Sequence, residues 1–313
     1  MPALITHRLF GEESAQRLSA GLLSTEDERT AFLIANQGPD PFFFRFRSLN
    51  APACSALGHR MHAGHMTRQF ASMCEGVEHL NERDAGVGRA FVLGLLSHYV
   101  LDRTAHPFVY AQQWAIQSVN EDLKGAGSEV HAVIESDLDV LMLQIKRDGA
   151  TVADYQPAGA LATSERVDRV AGALTSFMAR RVYGIEIGAS EYGGAVADMQ
   201  LVYRLIEPAG APASRVIGAC EGLLRDYSLL GALAHRVTDV APAGAGNLAR
   251  ADWRDPFTDE VSRESFPEVF DRALDEYEAV AAFLVRGEVD RAIGHVNYSG
   301  RVLDESEEFE GEE

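Results

Sequence analysis

His98, Asp102 and His106 stand at i, i+4 and i+8 within the otherwise apolar run 88–106. At 100° per residue this spacing keeps the three side chains within about 80° of one helical face. Phe91, Leu93, Leu95, Leu96, Val100 and Leu101 surround them, so that helix is buried and not solvated. Buried polar groups without partners are costly, and a metal ion is the economical partner for imidazoles and a carboxylate. Successive members lie about 6 Å apart along the axis, so one ion can be held between the first two but hardly by all three. The spacing points to two neighbouring metals with Asp102 near the middle.

Other residues of the same chemistry lie elsewhere in the first 140 positions. His131 and Glu135 repeat the i, i+4 spacing among Val130, Val133, Ile134 and Leu138. Asp40 follows Gly38-Pro39, His7 lies near the start, and His59, His62 and His65 are three apart. Each has an ordinary reading when taken alone. Asp40 is a turn aspartate, His7 a polar residue near a terminus, and at least two of the three spaced histidines belong to a solvated helix face. Their number shifts the balance. Zinc takes imidazole nitrogen and carboxylate oxygen, and catalytic sites leave one position open to water. His106, His131 and Glu135 would give three ligands plus water. Asp40, His62, His98 and Asp102 would give a fuller set, and His7 with the second oxygen of Asp102 could start a third site.

The elements that must position these residues read as helices. A short helix is expected over Glu12 to Gly21. Ser24 then N-caps a helix with acidic residues in its first turn, running through Phe32 and Ile34 and stopping near Asn36 to Pro39. Phe42, Phe43 and Phe44 form an inward-packing loop after Asp40. Helical polarity continues over 55–82, and Gly86 and Gly88 separate it from the central helix. Pro107 should end or bend that helix, placing His106 at a helix end where the dipole favours a cation. After a linker at 124–128 comes the helix bearing His131 and Glu135. Further helical patterns cover about 161–182, 196–206, 212–237 and 266–286. No alternating strand pattern and no internal repeat is evident. The expected architecture is all-α, a multi-helix bundle, with a main domain over 1–247 and a helical appendage over 248–303. The run 304–313, with seven acidic residues in ten, reads as a solvated, disordered tail.

At 313 residues, 46% hydrophobic and 24% charged, the chain has ample material for a core. A net charge of −19 repels long polyanions and argues against a general nucleic-acid binder or an anionic-membrane dock. A small phosphate ester would instead feel the local field of the metals. Cys54, Cys74 and Cys220 show no paired spacing and read as reduced thiols. With no signal-peptide pattern and no apolar span of membrane length, cytoplasmic residence is expected.

The stretches Leu4-Ile5-Thr6-His7, Gly38-Pro39-Asp40, Arg60-Met61-His62, His98-Tyr99-Val100-Leu101-Asp102 and His131-x-x-x-Glu135, with His106 between the last two, resemble the bacterial zinc-dependent phospholipase C family. That family shares an all-helical, three-zinc site with the S1/P1 nucleases. The resemblance covers about residues 1–140. It implies one zinc on Asp40, His62, His98 and Asp102, a second on His106, His131 and Glu135, and a third on His7 and Asp102 with the N-terminal amine. Asp40 would also accept a proton. The family's mature chains usually begin with tryptophan; here the Pro2 amine, freed by loss of Met1, would have to serve. The activity implied is zinc-dependent hydrolysis of a phospholipid or small phosphodiester by metal-activated water, with two or three Zn²⁺ per chain. The alternatives are an S1/P1-like nuclease or nucleotidase, and a non-catalytic helical metal-binding protein. A helical di-iron protein is disfavoured because paired Glu-x-x-His signatures are missing.

Overall fold

The computed structural model describes residues 3–221 and 226–309. Thirteen α-helices make up most of the described residues, 66% of which are helical. The first six are α1 (Leu4–Arg17), α2 (Glu26–Ala35), α3 (Ala51–Ala63), α4 (Met66–Glu78), α5 (Glu82–Val119) and α6 (Gly127–Lys146). Then come α7 (Glu165–Tyr183), α8 (Glu191–Ile206), α9 (Pro212–Glu221) and α10 (Leu229–Leu233). A two-residue-per-strand hairpin, β1 (Trp253–Arg254) and β2 (Val261–Ser262), precedes α11 (Phe266–Val285), α12 (Val289–Ile293) and α13 (Glu305–Phe309). Among the described residues no helix is long and apolar enough to cross a membrane. The all-α expectation holds.

The chain divides into two compact units that interleave in sequence. The first comprises 1–9, 105–160 and 200–271; the second comprises 10–104, 161–199 and 272–313. In the first unit α6 buries Ile134, Leu138, Leu141 and Met142 together with the polar residues His131, Glu135 and Asp139. The segment after α10 runs along α6, tied by Ser136 Oγ donating to the Ala234 carbonyl and Gln144 Nε2 to that of Thr238. Antiparallel pairing of Trp253 with Ser262 closes the hairpin, and the Trp253 ring meets Phe108 edge-on at 5.3 Å.

The second unit is built around α2, α4, α7 and the first part of α5. Thr25, one residue after the expected Ser24, caps α2; Glu28 completes a capping box by accepting from the Thr25 backbone. Gly94 lets α2 and α5 touch backbone to side: a Cβ there would lie 2.1 Å from the Phe32 carbonyl oxygen. Asp84 at the start of α5 is gripped by Arg166 and Arg169 of α7. Arg45 sits between Glu191 and Asp198 of α8.

Several local expectations are corrected. The first helix spans Leu4–Arg17, not Glu12–Gly21. Gly86 and Gly88 lie inside α5, and Pro107 does not end that helix, whose 38 residues continue to Val119. Proline removes one helical N–H bond and crowds the carbonyl four residues back. Burial of Ala105, Phe108 and Val109 on both sides supplies packing that outweighs that loss. His106 is therefore mid-helix, without a helix-end dipole. The pattern over 212–237 resolves into α9 and α10. The acidic run also begins folded: α13 occupies its first half, and Glu308 is fully buried. The Glu308 carboxylate accepts from the Met66 and Thr67 amides at the start of α4, a fixed anion at a helix N-terminus. Residues 310–313 lie outside the described residues.

Candidate metal centre

In the second unit, Asp40 opens a 3₁₀ turn (Asp40–Phe44) just beyond α2 and is 1% exposed. His62 lies in the last turn of α3, and His98 and Asp102 are one turn apart on α5. His62 Nε2 is 3.2 Å from Asp40 Oδ1 and 4.0 Å from Asp102 Oδ2, while His98 Nε2 is 3.3 Å from Asp102 Oδ2. The ligand atoms of His62, His98 and Asp102 all fall within 4.8 Å of one another.

The outer ring nitrogens explain what these distances mean. His98 Nδ1 is 3.0 Å from the Asn36 carbonyl, and His62 Nδ1 is 2.7 Å from that of Gly58. A carbonyl only accepts, so each Nδ1 carries a proton and each ring turns its Nε2 inward. In the neutral tautomer the Nε2 lone pair would face a carboxylate oxygen, a repulsion that a cation between the two would relieve. Tetrahedral zinc, with bonds of about 2.0–2.1 Å, separates its ligand atoms by roughly 3.3 Å. The His62–Asp40 and His98–Asp102 separations match that edge, and the 4.0 Å between His62 and Asp102 exceeds it. Burial works to raise the Asp40 carboxyl, but the His62 hydrogen bond and nearby His98 outweigh it and hold Asp40 below its ordinary value.

In the first unit the same arrangement recurs. His131 Nε2 is 3.1 Å and His106 Nε2 3.7 Å from Glu135 Oε1, all three residues being buried. His131 Nδ1 donates to the amide oxygen of Gln113 at 2.9 Å, fixing the tautomer as before. Burial lowers the His131 ring against the opposing pull of Glu135. Burial works to raise the Glu135 carboxyl, but nearby positive charge, the His131 and His106 imidazoles included, outweighs it and holds Glu135 well below the usual carboxylate range. Its Oε2, also buried, has no hydrogen-bond partner among the described residues. Three protein ligands in one pocket fit zinc with a position left for water.

His7 is buried in the first turns of α1, 3% exposed, in the first unit. The Met1 and Pro2 positions lie outside the described residues. Of the spaced histidines, His59 is exposed and His65 forms the left-handed hinge between α3 and α4, bonding the Glu308 carbonyl. Only His62 joins the group, as the bland reading of two of the three required.

Sequence reasoning missed the residues that orient the ligands. Gln113 stands seven positions after His106 on α5, a helical interval that could have flagged it. Tyr110, at i+4, stacks on His106 at 5.5 Å and meets His131 at 5.2 Å. Tyr298 packs on His62 at 4.9 Å and His98 at 5.6 Å, and nothing in its local sequence announces this. Phe43 stacks on His62 at 5.5 Å.

No curated protein and no solved structure gave a match to the chain. A family model described as zinc dependent phospholipase C matches residues 6–183, a span that includes every candidate ligand named above and more than half the chain. Two buried histidine–carboxylate groups of zinc geometry fall inside that span, and the chain belongs to the zinc-dependent phospholipase C family.

Proposed function

We propose that this chain hydrolyses the phosphodiester bond of a phospholipid or a small soluble phosphodiester. Asp40, His62, His98 and Asp102 would hold one zinc, and His106, His131 and Glu135 a second, with His7 a further candidate ligand of the first unit. The observation that carries the reading is the inward Nε2 of His62, His98 and His131, each aimed at a carboxylate oxygen inside the family's matched span. Bound zinc would supply a water acidic enough to give hydroxide near neutral pH, and positive charge to hold a phosphate. The chain's own residues do the rest. Asn36, Gly58 and Gln113 keep the imidazoles in the ligating tautomer. Asp40, ionised by its histidine neighbours, keeps an oxygen ready to take the proton released in attack on phosphorus. Tyr298 and Tyr110 exclude bulk water from the ring faces.

Zinc content of the purified protein should be measured beside hydrolysis of short-chain phosphatidylcholine and bis(p-nitrophenyl) phosphate. Activity is expected to vanish with chelator and return with zinc. Fully zinc-loaded protein that cleaves neither ester would sink the hydrolase reading in favour of a non-catalytic metal protein. One observation favours a second reading. The Tyr110 ring continues at 6.0 Å into Trp114, which is 48% exposed, a surface on which a base could stack. Cleavage of short single-stranded oligonucleotides faster than of either ester would establish the nuclease-like alternative.

A further inference from the structure

A fourth buried histidine of the first unit is caught between acids, but in a way that leaves no ring nitrogen free for a metal. His235, just after α10, has its Nε2 2.9 Å from Asp139 Oδ2 and its Nδ1 2.5 Å from Glu207 Oε1, with a side chain only 2% exposed. Both ring nitrogens face carboxylates, so both carry protons and neither offers a lone pair. Its backbone amide donates to the same Glu207 oxygen at 3.1 Å, and Tyr203 stacks at 6.1 Å. Asp139 has a second task. It accepts from the Ile5 amide at 2.9 Å and the Thr6 amide at 2.7 Å, two of the donors that a helix N-terminus leaves unpaired. Helix α1 has no acidic residue in its own first turn, so α6 supplies the anion its dipole favours.

Asp139 is also the next member of the α6 stripe after His131 and Glu135, at i+8 and i+4. We propose that Asp139, His235 and Glu207 are positioning residues, a charged clamp that fixes the first turn of α1, and with it His7, to the ligand-bearing face of α6. His7 directly follows the clamped Thr6, so its backbone is held by the same turn. The role of the clamp rests on the reading of His7, His131 and Glu135 as zinc ligands. Groups that orient ligands in this way typically contribute 10–100-fold in metal affinity.

The test uses the full chain, metal-free, with hydrogen exchange followed over residues 3–9 and 127–146. Asp139→Ala should speed exchange over 3–9 at least about tenfold, with the His131-bearing turns of α6 still protected. Zinc titrated into the same folded protein should bind about 10–100-fold more weakly at one site, the loss that His7→Ala also gives. Unchanged exchange over 3–9, or a lowered melting temperature with wild-type zinc affinity, overturns the clamp. If Asp139→Ala does not fold, Glu207→Gln removes one charge at the far end and should produce a smaller change in the same two readouts; no change in either overturns it. Wild-type protein that takes up no zinc would instead defeat the ligand reading, and the clamp's role would fall with it.

Discussion

Gly38→Ala is the sharpest single test of the second unit's ligand group. Gly38 has φ +53°, and a Cβ there would lie 2.2 Å from His98 Cδ2, 2.4 Å from Nε2 and 2.6 Å from Cγ. Carbon atoms rest at about 3.5 Å or more, so the imidazole must retreat by roughly 1 Å. It has nowhere to go: His98 is fully buried, bonded to the Asn36 carbonyl and backed by Tyr298. Metal ligands tolerate displacements of only about 0.2 Å. The methyl should therefore cost about 1–2 kcal/mol for the left-handed backbone and about 1–3 kcal/mol for overpacking. Zinc affinity at this group should fall by at least about tenfold. The assay is competitive zinc titration against a chromophoric chelator, beside denaturant melts. Gly21→Ala is the control, since Gly21 has φ +96° but nothing within 4 Å of its absent Cβ. It should lose stability and keep its zinc. Gly38→Ala protein that binds zinc as tightly as wild type would refute the placement of His98 as a ligand.

Other expectations follow from the same geometry. Asp102→Ala and Glu135→Ala should each lower zinc content by at least one equivalent in mass-spectrometric metal analysis; wild-type content in Asp102→Ala would count against the assignment. Chelation should lower the melting temperature, because zinc at 100 times its Kd stabilises by about 2.7 kcal/mol, and calorimetry with and without chelator reads this directly. His235 gives a pH signature: burial alone would lower its pKa, but its bonds to Asp139 and Glu207 raise it to about 9 from 6.5. A raised folded-state value means stabilisation that is complete below pH 6.5 and lost as pH climbs through 9, amounting to about 3 kcal/mol at 1.36 kcal/mol per pH unit. Denaturant unfolding of wild type and His235→Gln at pH 6 and pH 10 should show the gap between them shrinking by that order; a constant gap would contradict the imidazolium.

What could be read from the chain was whatever local spacing encodes. His98 with Asp102 and His131 with Glu135 are each one helical turn apart, so their shared faces follow from residue order alone. The capped start of α2 and the apolar periodicity of α6 and α7 were equally local. Other parts depend on distant chain. The acceptors that set the tautomers of His98 and His62 are backbone carbonyls of Asn36 and Gly58, which every residue type possesses. Tyr298 reaches the imidazoles from some 200 positions away. Pro107 argued for a break that burial overrode. Glu308 looked like part of a solvated acidic run until the fold brought it against the unpaired amides of α4.

That last contact bears on biosynthesis. Domains acquire structure progressively as they are made, and Glu308 is translated about 240 positions after the Met66 and Thr67 amides it accepts from. The corner beside His62, where α3 hands over to α4, therefore gains its anionic stopper only once residue 308 has been made. Protein stopped at residue 303 would reveal the dependence as faster amide exchange at Met66 and Thr67.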